Sequence, residues 1–230
     1  MADDSGAEHG FDPVAQSLAI GYTREQIGRV PADAVQGAGC ANPVPFADLQ
    51  PGEVVLDVGC GGGMDVLLAA DAVGPEGCVI GVDAESEALA LARRNADDAG
   101  LANVALRRGE IVDLPVDDAS VDVVLSNCSV NYADDLQRAF AEMRRCLRAG
   151  GRVVVADLVL TERFDADRRR RAPDPWREWL AEAALRGQYL SGLRATFDDV
   201  TVVQERPFNL AQTDSTLSWC VVSLVVRATP

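Results

Sequence analysis

Residues 54–65 constrain the fold of this chain more than any other stretch. The apolar run Val54–Val58 has the length of one buried strand. It leads into four glycines within positions 59–63, and residues 64–72 then follow a helical pattern. A strand, a glycine-rich turn and a helix in this order are typical of a doubly wound α/β sheet, in which glycine lets a ligand touch the backbone. We therefore predict a nucleotide-type ligand at this turn.

The spacing of the glycines narrows the class of ligand. A dinucleotide fingerprint would have a third glycine or alanine at position 64, where this chain has Met64. The observed motif over residues 57–63, Asp-x-Gly-x-Gly-x-Gly, resembles the first motif of class I S-adenosylmethionine-dependent methyltransferases. Asp83 ends the next apolar run, and an acid there can accept hydrogen bonds from ribose hydroxyls. A glycine-rich turn without a ligand is the weaker interpretation, because strand, loop, helix, strand and acid occur in order.

The rest of the chain alternates between strand and helix patterns, which favours a mostly parallel sheet. Further strands are predicted at residues 78–83, 104–107, 121–126 and 152–160. Helices are predicted at residues 14–20, 23–30, 86–99, 136–147 and 176–185, with Ala-Gly-Gly at 149–151 ending the fourth of these. Residues 200–206 and 218–227 can pair antiparallel at one edge. We predict a Rossmann-like class I methyltransferase fold, α/β, with a mostly parallel seven-stranded sheet and an antiparallel edge hairpin.

Length and composition set the domain organisation and exclude several classes of partner. The 230 residues are enough for one domain at residues 13–230, in which residues 13–50 form cap helices and a loop, preceded by a disordered tail at residues 1–12. No apolar run could span a bilayer and the N-terminus does not read as a secretory signal, so we expect a cytoplasmic protein that does not bind membranes. A net charge of −15 repels phosphate backbones, which argues against a nucleic-acid partner. The oligomeric state is not predicted.

The cysteines and the histidine limit the chemistry. The six cysteines contain no Cys-x-x-Cys pair, so neither a disulfide framework nor a zinc ribbon is expected, and the thiols should be reduced. The sole histidine, His9, lies in the predicted tail, which argues against histidine-based catalysis and metal binding.

The candidate cofactor residues follow the carboxyl ends of the predicted strands, the edge at which open α/β sheets bind ligands. Asp83 would accept the ribose hydroxyls, Ile111 would pack on the adenine beside Glu110, and Asn127 could bond the amino group of the methionyl part. Ile111 could equally be a core residue, and Glu110 a solvated loop acid. The predicted cofactor-binding residues are Asp57, Gly59, Cys60, Gly61, Asp83, Ala84, Glu110, Ile111 and Asn127.

Two cysteines are candidates for binding the methyl acceptor. Cys128 lies just past the fourth strand, and Cys40 lies in a glycine-rich loop that could fold over the same mouth. Two soft thiols near an electrophilic methyl group would suit a soft acceptor such as trivalent arsenic. Each cysteine taken alone could instead be a small buried hydrophobic residue, as we expect for those at positions 78, 146 and 220.

These stretches resemble those of arsenite S-adenosylmethionine methyltransferases, over roughly residues 20 to 200. The specific matches are Gly-Cys-Ala-Asn-Pro at residues 39–43 and Ser-Asn-Cys-Ser-Val-Asn at residues 126–131. The resemblance implies an enzyme that transfers methyl groups from S-adenosyl-L-methionine to arsenite or methylarsenite, with Cys40 and Cys128 as catalytic As(III) ligands.

The chain departs from that family at a third thiol. The family's third arsenic-binding cysteine corresponds to Trp179, and its upstream N-terminal cysteine is absent. As(III) prefers three sulfurs, so an external thiol such as glutathione could complete the site. Alternatively, the pocket serves an organic or organoarsenical acceptor, with Trp179 either reshaping it or simply packed on a helix. A metalloid-binding protein without catalysis is a third possibility, which the intact glycine motif and Asp83 disfavour.

Overall fold

Seven strands form one sheet in the computed structural model, which describes residues 11–165, 183–208 and 220–230. The strands are β1 (Val54–Val58), β2 (Cys78–Asp83), β3 (Val104–Arg108), β4 (Val121–Asn127), β5 (Leu147–Leu160), β6 (Asp199–Pro207) and β7 (Val221–Thr229). Their order is β3-β2-β1-β4-β5-β7-β6; β1 to β5 are parallel, and β7 is antiparallel to both β5 and β6. The predicted mostly parallel sheet with an antiparallel pair at one edge is confirmed.

Helices cover both faces of this sheet. They are α1 (Pro13–Ile20), α2 (Arg24–Arg29), α3 (Val44–Ala47), α4 (Met64–Val73), α5 (Ser86–Asp98), α6 (Leu136–Cys146) and α7 (Arg186–Thr196). The strand residues alternate between two apolar clusters: Val55 packs with α4, whereas Leu56 packs with α6 and α7. Burial on both faces explains why β1 and β4 are mostly apolar, apart from Asp57 in β1 and the polar residues Asp122, Ser126 and Asn127 in β4. None of the helices in the described ranges is long and apolar enough to cross a membrane.

Both helices of the N-terminal segment begin at residues whose side chains cap them. Thr23 caps α2 through a capping box with Gln26, and Asp12 caps α1 by accepting from the backbone of Val14 and Ala15. Asp12 therefore takes part in the first helix, although it falls within the predicted tail. Residues 1–10, including His9, lie outside the described part of the chain.

Two segments differ from their predicted boundaries. Strand β5 already begins at Leu147, which pairs with Val121, and the Ala-Gly-Gly segment lies within the strand, where the register shifts. Gly150 adopts a φ of +80°, which suits an irregularity of this kind.

Helix α7 was not predicted, because its two glycines lower helix propensity. Gly192 is needed in that helix, since a Cβ there would lie 2.9 Å from the Phe140 ring of α6. The predicted helix at 176–185 lies outside the described residues apart from 183–185, which are not helical.

Candidate active site

The turn between β1 and α4 is held by two backbone hydrogen bonds and by a close contact that only glycine permits at position 59. The backbone N–H groups of Gly59 and Cys60 both donate to the carbonyl of Val82, at 2.8 and 3.0 Å. Gly59 has a φ of +73°, and a Cβ at this position would lie 2.3 Å from the Cβ of Ser129. The Ser129 hydroxyl in turn donates to the Val58 carbonyl at 2.8 Å. The end of β1 is therefore pressed against the loop that follows β4.

Gly59→Ala is expected to destabilise the protein much more than Gly61→Ala. Both residues have positive φ, but no described atom lies within 4 Å of the position that a Cβ on residue 61 would occupy. The left-handed backbone alone should cost Gly61→Ala about 1 kcal/mol, whereas the additional clash should bring Gly59→Ala to about 3 kcal/mol or more. Urea denaturation measures both. Equal losses in the two variants would contradict the close packing of Gly59 on Ser129.

A cavity of about 800 Å³ opens at the carboxyl ends of β1, β2 and β4. A smaller cavity of about 80 Å³ lies beside it, on the side of the glycine turn. The larger one is lined, among others, by the predicted residues Gly59, Asp83, Ala84, Glu110, Ile111, Asn127 and Cys128. The smaller one is lined, among others, by Asp57, Gly59, Cys60, Gly61 and Asn127. The structure thus brings every predicted cofactor residue to the wall of one of two adjoining cavities.

The carboxylate of Asp83 is fixed at the rim of the larger cavity. One oxygen accepts from the backbone of Gly61 at 2.9 Å, and the other accepts from the backbone of Glu85 at 2.9 Å. Each carboxylate oxygen has a further lone pair. The side chain is therefore both a brace for the glycine turn and an available acceptor.

Tyr22 and Asp65 form a buried polar network with Asn127 that the sequence did not reveal. The Tyr22 hydroxyl donates to one oxygen of Asp65 at 2.7 Å. The amide nitrogen of Asn127 lies within hydrogen-bond distance of three acceptors: the other Asp65 oxygen at 3.0 Å, the Tyr22 hydroxyl at 3.0 Å and the Ala41 carbonyl at 2.8 Å. The signal that could have found this network is Asp65 itself, a charged residue in the first turn of a helix that is otherwise apolar except for Asp71.

Two buried carboxylates, Asp57 and Asp65, face the smaller cavity. Asp57 is 2% exposed, and its carboxylate takes no hydrogen bond from the described side chains or backbone. Burial, and then the charges of Asp65 and Asp83, raise the pKa of Asp57 well above its ordinary value. Burial likewise raises the pKa of Asp65. A buried pair of acids is costly unless a cation compensates it, so this corner suits a positively charged ligand.

Cys40 and Cys128 lie close to each other, although only Cys128 lines the larger cavity and Cys40 lines neither of the two cavities. Cys40 is 2% exposed, and its thiol is 3.7 Å from the Oδ1 atom of Asn127. Burial raises the pKa of the Cys40 thiol well above its ordinary value, and the neighbouring Cys128 raises it further. Cys128 is half-buried and lines the larger cavity. The two candidate thiols, 88 positions apart in the chain, are therefore neighbours.

The backbone of Cys128 has an unusual conformation. Its φ is +63°, in the left-handed region that a non-glycine residue rarely adopts, and its N–H donates to the Ala156 carbonyl at 2.8 Å. Such conformations cluster at functional sites. This one ends β4 abruptly and places the thiol on the cavity wall.

Further polar groups surround the thiol pair and were not predicted. Asp157 is buried on β5 and accepts from the backbone and side chain of Asn131, both at 3.2 Å, and from the Tyr189 hydroxyl at 3.3 Å. Burial raises the pKa of Asp157 to about 7, against the opposing effect of these hydrogen bonds.

Tyr132 lies at the mouth of the cavity and is 74% exposed. In the described part of the chain, no group of three His, Cys, Asp or Glu residues could hold a metal ion. Trp179 lies outside the described residues.

Comparison with known proteins identifies the family to which this chain belongs. The family model described as "Methyltransferase domain" matches residues 49–204. An arsenite methyltransferase of Halobacterium salinarum is 45% identical over 167 residues, which cover 73% of this chain and 43% of that protein. An arsenite methyltransferase of Aquipseudomonas alcaligenes is 35% identical over 188 residues, covering 78% of this chain and 53% of that protein. The chain thus spans about half the length of the curated relatives it matches.

A solved structure shows the same similarity in three dimensions. The crystal structure of an arsenic(III) S-adenosylmethionine methyltransferase from Chlamydomonas reinhardtii superposes with a TM-score of 0.72 and 28% identity. The superposition covers 96% of this chain and 74% of that one. The resemblance and the fold class predicted from the sequence are both confirmed.

Proposed function

Because this chain belongs to the methyltransferase domain family and has the Rossmann-like class I methyltransferase fold, we propose that it transfers methyl groups from S-adenosyl-L-methionine to trivalent arsenic held by Cys40 and Cys128. The observation that carries this proposal is the proximity of the buried Cys40 thiol to Cys128, which lines the larger cavity. The remaining walls carry the predicted cofactor residues. Two relatives bear the name arsenite methyltransferase, which supports the choice of acceptor.

The donor set fits S-adenosyl-L-methionine. Asp83 would accept the ribose hydroxyls, and Ile111 would pack on the adenine with Ala84 and Glu110 beside it. Asp57 and Asp65 would compensate the positive charge of the methionyl part, next to the backbone of the glycine turn. When bound, the cofactor would supply an electrophilic methyl group. A trivalent arsenic bound by thiolates can donate its lone pair to that methyl carbon.

The role predicted for Asn127 is restricted by its present partners. Its Nδ2 atom already has three acceptors for two hydrogens, so a bond to the amino group of the cofactor would use Oδ1. Oδ1 also accepts from the backbone of Cys40 at 3.1 Å. We propose that Asn127 connects the cofactor cavity with the loop that carries Cys40.

The thiol pair suits two forms of trivalent arsenic. Cys40 and Cys128 would each lose a proton and bind arsenic as thiolates, which are soft ligands. Arsenite would then need a third ligand, for which we propose an external thiol such as glutathione. Methylarsenite needs none, because its methyl group already occupies the third position.

The test of the proposed function is arsenite-dependent turnover. Purified protein is incubated with S-adenosyl-L-methionine, glutathione and either arsenite or methylarsenite, and the formation of S-adenosylhomocysteine is measured. We expect product only when an arsenical is present. Tight cofactor binding without arsenical-dependent turnover would contradict the proposal.

One observation favours a second candidate, methyl transfer to an organic small molecule. Tyr132, Leu158 and Phe208 contribute apolar surface beside Cys128, and the cavity volume is within the range of small-molecule sites. An organic or organoarsenical acceptor would be methylated without help from both thiols. Turnover of an organic compound that survives Cys40→Ser and Cys128→Ser would favour this alternative.

Cofactor binding is expected to tighten as the pH rises and to release protons. Asp57, with its raised pKa, is neutral at a pH where an ordinary Asp is ionised, and only its ionised form attracts a cation. Affinity should therefore increase from about pH 4, the ordinary range of an Asp carboxyl, up to and through the raised pKa. Calorimetry in two buffers of different ionisation enthalpy measures the protons released. Tighter binding at lower pH, or an unchanged pH dependence in Asp57→Asn, would contradict this assignment.

A further inference from the structure

Ser223 is a buried hydroxyl within an apolar strand. It lies in β7 between Val222 and Leu224, is 4% exposed, and has Leu158 opposite it on β5. A serine gains little from such a position unless its hydroxyl has a partner. The partner is the backbone carbonyl of Cys40, to which the Ser223 hydroxyl donates at 2.8 Å. This buried bond joins two segments that are 183 positions apart in the chain.

The loop that carries Cys40 depends on bonds of this kind for its shape. Gly37 and Gly39 precede the cysteine with φ values of +65° and +99°, so the backbone is intrinsically free there. Asn127, at the end of β4, accepts from the Cys40 N–H at 3.1 Å and donates to the Ala41 carbonyl at 2.8 Å. Ser223 holds the carbonyl between them from the opposite side, on β7. The peptide groups on both sides of Cys40 are thus fixed by two different strands.

We propose that Ser223 is a positioning residue for the arsenic site: by holding the Cys40 carbonyl, it keeps the Cys40 thiol beside Cys128, so that both sulfurs can bind one arsenic atom. The importance of Ser223 for methyl transfer rests on the proposed function. Its effect on the distance between the two thiols does not.

Phenylarsine oxide probes this approach without any turnover. One molecule condenses with two thiols: two As–S bonds form, each thiol gives up a proton, and the oxygen leaves as water, with no change in oxidation state. The bridged adduct requires both sulfurs to reach one arsenic atom. Its affinity, measured by competition with dithiothreitol and detected by intact-protein mass spectrometry, therefore reports on the placement of Cys40 relative to Cys128.

The experiment compares variants of Ser223 that differ in the hydroxyl group. Ser223→Thr and Ser223→Val have nearly the same shape, and only threonine keeps the donor; Ser223→Ala gives a smaller replacement if the branched side chains do not fit. We expect Ser223→Val and Ser223→Ala to bind the bridging arsenical about tenfold or more weakly, and Ser223→Thr to recover most of this loss. Affinity for S-adenosyl-L-methionine should stay within about twofold in all of them, since Ser223 lines neither cavity.

A matched control is Ser17→Ala, which removes a buried hydroxyl that has no hydrogen-bond partner within the described residues. This variant should bridge the arsenical like the wild type. Equal bridging by Ser223→Val, Ser223→Thr and the wild type would overturn the proposal, even if the melting temperatures differ. A wild type that bridges phenylarsine oxide but shows no arsenical-dependent turnover would instead contradict the proposed function and leave the positioning role intact.

Discussion

Cys128→Ser is expected to lower arsenical-dependent methyl transfer by about 100-fold or more, because even outer partners of metal ligands contribute about 10- to 100-fold to affinity. Serine keeps the size of the side chain and the left-handed backbone at this position. It replaces a soft sulfur with a hard hydroxyl oxygen, which binds trivalent arsenic poorly. The formation of S-adenosylhomocysteine under saturating cofactor measures the loss.

Cys78→Ser is the matched control for that variant. Cys78 is also a partly buried free thiol, but it begins β2 and lies at the opposite end of the sheet from the cavity. This variant should retain turnover within about twofold, because distant sites act independently. Full activity in Cys128→Ser, or an equal loss in Cys78→Ser, would contradict the assignment of Cys128 as an arsenic ligand.

Asp83→Ala is expected to weaken the binding of S-adenosyl-L-methionine by about 100-fold or more, since each hydrogen bond to a charged group contributes about 1.5–3 kcal/mol. The variant loses the acceptor for the ribose hydroxyls. It also loses the bond of 2.9 Å that holds the Gly61 backbone in the glycine turn. Isothermal titration calorimetry measures the cofactor affinity directly.

The effect of Asp83→Ala should be confined to the cofactor. Bridging of phenylarsine oxide by Cys40 and Cys128 should be unchanged, so this variant and Cys128→Ser are expected to give opposite patterns in the two binding assays. Glu87→Ala is a matched control, because Glu87 is an exposed acid in the first turn of α5 that does not line either cavity. A comparable loss in Glu87→Ala would mean that the effect comes from general electrostatics and not from contact with the ribose.

Much of the fold could be predicted from the sequence because its signals are local. The buried strands β1 and β4 are mostly apolar. The glycine turn and Asp83 stand at strand ends, where the topology brings them together. Helix α7 escaped prediction because Gly192 is placed for close packing against Phe140 and not for helix propensity. The early start of β5 depends on pairing with Val121, which no local pattern reveals.

The polar groups around the site were harder to predict because their partners are distant in the sequence. Tyr22 meets Asp65 across 43 positions, and Ser223 meets Cys40 across 183. In the sequence, Tyr22, Asp65 and Ser223 are only polar side chains in a short turn, a helix and a strand. The pairing of Cys40 with Cys128 could be anticipated because Cys128 follows a predicted strand end, because the Cys40 loop could reach the same edge, and because both cysteines occur in motifs that resemble those of a known family.

The most direct test of the arsenic site is a crystal structure of the protein treated with phenylarsine oxide, with anomalous data collected at the arsenic absorption edge. The predicted result is a single strong arsenic peak bonded to the Sγ atoms of both Cys40 and Cys128, at the wall of the larger cavity. An arsenic atom bound to only one of these cysteines, or bound at Cys78 or Cys220 with the Cys40–Cys128 pair empty, would contradict it.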